Sequence, residues 1–121
     1  MRFDERLEYS VQYQNDELRN CQIPRFLIQP IVENAIKHGI SKLAKNGIVK
    51  INIAEEKGNL IIKIHDNGVP FPDNIFSGYG LKSIQDKLRL LSGEKASMTI
   101  NNEPEKAVIL SLPKQNNTKI L

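Results

Sequence analysis

The sequence predicts an α+β fold, a two-layer sandwich with a mixed sheet of about five strands and helices on one face. Three observations predict it. Apolar residues recur at strand-like spacing in five short runs, they recur at helical spacing in two longer ones, and turn-rich segments join strands into hairpins. At 121 residues the chain has room for one core. We expect one domain over residues 1–113 and a polar tail over 114–121.

The first strand is read from Leu7, Tyr9, Val11 and Tyr13, which alternate with polar residues as in a half-buried strand. A polar stretch, Gln14 to Asn20, leads to Pro24. From there to Gly39, Leu27, Ile28, Ile31, Val32, Ala35 and Ile36 fall at helical spacing, and Gly39 is a plausible stop. Pro30 lies inside that run. An interior proline costs about 3 kcal/mol, which predicts a kink or a fresh helix start there.

Two strands follow, Gly47 to Glu55 and Asn59 to Asp66, joined through the turn composition Glu56-Lys57-Gly58-Asn59. An irregular stretch, Asn67 to Gly78, precedes a second helix at about Tyr79 to Leu91. Leu81, Ile84, Leu88 and Leu91 form its apolar stripe, and Ser92-Gly93 closes it. The last hairpin pairs Ala96 to Asn101 with Ala107 to Leu112 around Asn102-Glu103-Pro104-Glu105.

Composition narrows the function classes. Hydrophobic residues make 40% and charged residues 26% of the chain, ordinary globular usage that excludes disordered and fibrous classes. A net charge of +3 is too small to argue for a nucleic-acid partner, which needs a concentrated basic face. No apolar run is long enough to span a bilayer, and no signal peptide opens the chain. The single cysteine, Cys21, excludes an internal disulfide and suits a reducing, cytosolic compartment.

Three segments could carry chemistry. Asn34, Lys37 and His38 stand at i, i+3 and i+4, so one helix face presents an amide, an ammonium and an imidazole. Taken alone, this is more often a polar edge of an amphipathic helix. Asp66 ends an isoleucine-rich strand and Gly68 follows two residues on. A carboxylate at the mouth of an apolar pocket can accept from an exocyclic amine, and a glycine lets a planar ring approach the backbone. A plain Asp-Asn-Gly turn reads the same way. Finally, Gly78-Tyr79-Gly80-Leu81 heads a helix, where free N–H groups and the helix dipole can face a phosphate. The strand that a dinucleotide fingerprint requires directly before it is missing, as is the Lys-Thr pair of a P-loop.

The order of these segments is more specific than any one of them. An asparagine helix, two strands, Asp-x-Gly, a loose loop and Gly-x-Gly-Leu opening a helix resembles the Bergerat ATP-binding fold. That fold is shared by histidine kinases, type II topoisomerases, mismatch-repair ATPases and a class of chaperones. Phe26-Leu27-Ile28-Gln29-Pro30-Ile31-Val32-Glu33-Asn34-Ala35-Ile36-Lys37-His38-Gly39 resembles the asparagine box of the LytS/YesM-type sensor histidine kinases. Gly80-Leu81-Lys82-Ser83-Ile84-Gln85-Asp86-Lys87-Leu88 is similar to the second glycine box of that group. Arg2-Phe3 fits the usual start of the domain, and the resemblance runs from about residue 3 to residue 113.

The resemblance implies a nucleotide site for ATP with Mg²⁺. Asn34 would give its side-chain oxygen to the ion, and Lys37 and His38 would face the phosphates. Asp66 would accept from the adenine amine and Gly68 would line the base pocket. Residues Asn67 to Ser77 would form a short lid, with Gly78, Tyr79, Gly80 and Leu81 at the phosphates. In hydrolysing members of the fold a glutamate one turn before the asparagine activates water. Pro30 stands there in this chain, and Glu33 points about 100° away from Asn34 around the helix. That suits a kinase whose acceptor is a histidine.

Neither His38 nor His65 resembles a phosphoacceptor, so the acceptor is expected on a helical domain upstream of Met1, in the same or a partner chain. By the same resemblance the parent is a dimeric, membrane-anchored bacterial sensor, this part is cytoplasmic, and a response regulator acts downstream. Two alternatives stay open: an anti-sigma-type serine kinase of this fold, and a non-catalytic nucleotide-binding docking module.

Overall fold

The computed structural model describes residues 7–21, 23, 25–40, 46–73, 75 and 80–114. The expected start at Arg2-Phe3, Gly78 and Tyr79 of the glycine pair, and the tail beyond Lys114 lie outside the described residues. Strands β1 (Leu7–Tyr13), β2 (Gly47–Glu56), β3 (Asn59–Asp66), β4 (Ser97–Asn101) and β5 (Ala107–Pro113) form one sheet in the order β1-β2-β3-β5-β4. The sheet is mixed because β1 runs parallel to β2 while the remaining pairs are antiparallel. The parallel pair is joined through helix α1 (Arg25–Asn34), as a parallel connection requires.

Strict alternation builds the core. Val49, Ile51 and Ile53 of β2, Leu60, Ile62 and Ile64 of β3, and Val108, Leu110 and Leu112 of β5 are all buried in one cluster. Registers such as Ile53↔Ile62↔Leu110 stack them into rows across the sheet. Leu27 and Ile31 of α1, and Leu81, Ile84 and Leu88 of α2 (Leu81–Ser92), join the same cluster. Asp66 continues the buried phase of β3, so a carboxylate stands at the end of a row of isoleucines. The β2–β3 turn has positive φ at Lys57 (54°) and Gly58 (83°), the signature of a tight hairpin whose twist matches its strands.

Two expectations need correction and a third is narrowed. Although β1 forms as expected, Tyr9 and Val11 remain 54% and 39% exposed, because nothing among the described residues covers that part of the edge strand. Leu91 is 54% exposed, since ten residues on from Leu81 it has rotated about 80° around the helix. Pro30 begins no new helix: α1 runs through it as one element. Proline here removes one i→i−4 bond near the start of the helix, just after a first turn whose N–H groups have no intrahelical partner anyway. The irregularity comes later, where α1 widens into a π-helical turn over Ala35–Gly39. Among the described residues, no helix is long and apolar enough to cross a membrane.

Candidate functional site

The site is built where the end of β3 meets the π-turn. Gly68 N–H donates to Asp66 Oδ1 at 2.8 Å, closing the Asp-Asn-Gly turn that the sequence also allowed. The same Oδ1 accepts from Lys106 Nζ at 2.7 Å. This pair is deeply placed: the side chains of Lys106 and Asp66 are 9% and 3% exposed. The β3–β5 register explains it, because Ala107 lies opposite His65, and one step on Lys106 stands opposite Asp66. His65 Nδ1–H donates to the Lys106 carbonyl at 2.7 Å, and Lys63 pairs with Glu105, so the β4–β5 turn is tied to β3.

The π-turn sorts the asparagine-helix residues. Asn34, Ala35, His38 and Gly39 line a cavity of about 140 Å³, whereas Lys37 is exposed and does not line it. A π-turn takes more residues per revolution than an α-helix, so positions i, i+4 and i+5 from Asn34 share the cavity side. Opposite stand Val69, Pro70, Phe71, Pro72 and Ile75, with Lys106 completing the wall. Phe71 is clamped by Asn102, whose Oδ1 accepts from Phe71 N–H at 2.8 Å and whose Nδ2 donates to the Phe71 carbonyl at 3.0 Å. The Lys106 ammonium lies 4.6 Å from the centre of the Phe71 ring.

Gly68 does not line the cavity. A Cβ there would stand 2.5 Å from the Gly39 carbonyl carbon, so its missing side chain admits the π-turn backbone. Val69 N–H donates to the Gly39 carbonyl across that contact, at 3.5 Å. Gly80 caps α2 with φ of 78° and no side-chain hydrogen bond, which leaves its first-turn N–H groups without a side-chain partner at that cap. Leu81 is fully buried in the core and anchors the helix rather than facing the cavity. Glu33 is exposed and accepts from Gln29 Nε2 at 3.1 Å, away from the cavity.

Lys106, Phe71 and Asn102 belong to none of the sequence segments expected to carry chemistry, apart from the place of Phe71 in the expected lid. Only the strand register could have signalled Lys106, forty residues from its partner. A larger groove of about 480 Å³ runs between β1 and α1, lined by Tyr9, Val11, Tyr13, Ile28 and Val32 among others. It contains none of the sequence-derived site residues. Its volume reflects the uncovered edge strand, so the smaller cavity, which gathers Asn34, His38 and Lys106, is the better candidate for chemistry.

Known proteins share both sequence and fold with this chain. The sensor histidine kinase YesM of Bacillus subtilis is 30% identical over 122 residues, 95% of this chain and 21% of its own length. The sensor histidine kinase BtsS of Escherichia coli is 37% identical over 112 residues, 92% of this chain and 20% of its own. The chain therefore spans about a fifth of the length of these relatives. The catalytic domain of histidine kinase ThkA superposes with a TM-score of 0.67 at 20% identity, over 91% of this chain and 82% of that one. ThkA in complex with the response regulator TrrA gives 0.55 at 18% identity, over 90% and 34%. No family model matches the chain.

Proposed function

We infer, from a chain that has the fold of histidine kinase catalytic domains and is related in sequence to the LytS, YesM and BtsS sensor histidine kinases, that it is the ATP-binding module of such a kinase. It would transfer the γ-phosphoryl of ATP to a histidine outside these residues. The observation that carries this reading is one cavity lined by Asn34 and His38, with the Asp66 carboxylate behind it and no carboxylate on its described walls.

Each residue has a distinct part. Asp66 accepts from the amine of the base, and the Phe71 wall covers the ring. His38 donates to phosphate oxygens, Lys37 adds positive charge from the exposed side, and the N–H end of α2 at Gly80 meets the phosphates with the helix dipole behind it, a role that the family resemblance extends to Gly78 and Tyr79. Leu81 fixes the position of that helix end. Asn34 fits as the protein ligand of a Mg²⁺ ion: a lone amide oxygen suits a hard cation that keeps its other positions for water and phosphate. Bound there, the ion would neutralise phosphate charge, the chief requirement of phosphoryl transfer. With Pro30 one turn before Asn34 and Glu33 turned away, no carboxylate among the described residues lines the cavity to activate water.

By analogy with the ThkA–TrrA pair, a response regulator is the downstream partner. The acceptor histidine, the membrane anchor and the dimeric, cytoplasmic setting belong to the same reading. The ion pair at Asp66 favours one other reading, a docking module whose pocket has closed to nucleotide.

Titration calorimetry with ATP, with and without Mg²⁺, separates the two, because a closed module binds neither way. Steady-state phosphate release should then be slow, since general-base help is worth about 10²–10⁴-fold in rate. Adding a segment that carries an acceptor histidine should yield an acid-labile phosphohistidine. Rapid hydrolysis by the chain alone would move it to the ATPases of this fold.

A further inference from the structure

Asp66 does not line the cavity, and Lys106 does. The ammonium of Lys106 stands between the buried carboxylate and the space in which a base would lie. Three features hold it there. The register sets Lys106 opposite Asp66, His65 binds its carbonyl at 2.7 Å, and the Phe71 ring lies 4.6 Å from its charge. A Cβ on Gly39 would meet the ammonium nitrogen at 2.6 Å, so the glycine of the π-turn is the floor that admits it.

We propose that Lys106 is a built-in occupant of the base subsite, which competes with the amine of the purine for Asp66 and thereby sets the affinity and base selectivity of the pocket. The proposal rests on the nucleotide reading above. A lysine ammonium has three donors and no acceptor, and the exocyclic amine of adenine is also a donor. Both need the same carboxylate, whose Oδ1 already accepts from Gly68 and from Lys106. A charged donor makes the stronger bond, so the lysine holds the site until the ligand displaces it. Volume points the same way. The cavity of about 140 Å³ lies below the roughly 300 Å³ at the lower end of small-molecule pockets. Withdrawal of Lys106 both uncovers the acceptor and enlarges the space. When only a fraction of molecules is open, apparent affinity falls by that fraction.

The test compares wild type with Lys106→Met, which keeps an unbranched side chain and deletes the charge, and with Lys106→Gln as a second neutral variant. Thermal melts confirm that each is folded, and the glutamine variant carries the test if the methionine variant is not. Calorimetry in Mg²⁺ is run with ATP and with purine riboside triphosphate, which lacks the amine. ATP should bind the neutral variants about ten-fold more tightly than wild type. The amine-less nucleotide should gain less, so preference for ATP rises. Equal or weaker ATP binding by the variants, with wild type binding normally, overturns the proposal and makes Lys106 a reader of the base or a bystander. Absence of ATP binding by every form, wild type included, is a different failure: it overturns the nucleotide reading, and this proposal with it.

Discussion

Gly39 and Gly68 meet backbone to backbone: a Cβ on Gly68 would stand 2.7 Å from the Gly39 Cα and equally close to Asp66 Oδ1. This contact locks the π-turn, which carries His38 and directly follows Asn34, onto the strand end that carries Asp66. Two segments of the site, nearly thirty residues apart, are thereby held in register by the absence of side chains.

Gly68→Ala should accordingly destabilise the fold by about 1–3 kcal/mol, the usual cost of forcing extra volume into a close contact. The obstacle is backbone on one side, which yields poorly. A lowered urea midpoint with an unchanged slope would show it. An unchanged midpoint would mean that the π-turn is free to move away from the strand.

Asp66→Ala should lose adenine recognition and stability together. A charge-assisted hydrogen bond in a desolvated pocket is worth about 2–3 kcal/mol, or roughly 30- to 160-fold in ATP affinity. Removing one partner of a buried ion pair costs about 3–5 kcal/mol, although the 9% exposure of Lys106 leaves it some route to water. Adding Lys106→Met to Asp66→Ala should restore most of the stability and none of the preference for ATP over GTP. Thermal melts and calorimetry on the four members of the cycle separate the two effects.

Asn34→Ala should weaken ATP binding mainly when Mg²⁺ is present, because the lost oxygen serves the ion. Titrations with the ion and with a chelator measure the difference. Equal losses in both would make Asn34 a structural amide at the mouth of the π-turn.

The turn that carries Lys106 should loosen in acid. The Lys63 ammonium, hydrogen-bonded to Glu105, holds that carboxyl below its ordinary value, with smaller help from His65 and Lys50. A lowered folded-state pKa means that the stabilisation is complete above the unfolded glutamate value, about 4.3, and is lost as pH falls through the lower folded value. Glu105 is 42% exposed, so screening keeps the effect small and salt-sensitive. Denaturation midpoints measured from pH 6 down to about pH 3 should fall more steeply for wild type than for Glu105→Gln.

Local patterns in the chain specify the elements and the faces they bury. Period-two alternation in Val49 to Ile53 and Leu60 to Ile64 specifies which side of each strand meets the core, and the same phase carries Asp66 inward. The stripe Leu81, Ile84, Leu88 does this for α2, and the Asn34 segment carried the family resemblance. Such features are local, since a repeat period or a turn residue acts within a few positions of itself. Tertiary structure decided the rest. Lys106 reaches Asp66 only because β3 and β5 pair in one register, and a register is a property of two strands. Lys37 leaves the cavity side because α1 opens into a π-turn, although α-helical spacing would group it with Asn34 and His38. Gly68 faces the Gly39 backbone instead of a ring, a choice made by the packing of two distant segments. Tyr9 and Val11 stay exposed because burial depends on what lies across from a strand, and the alternation of a strand cannot encode its neighbour.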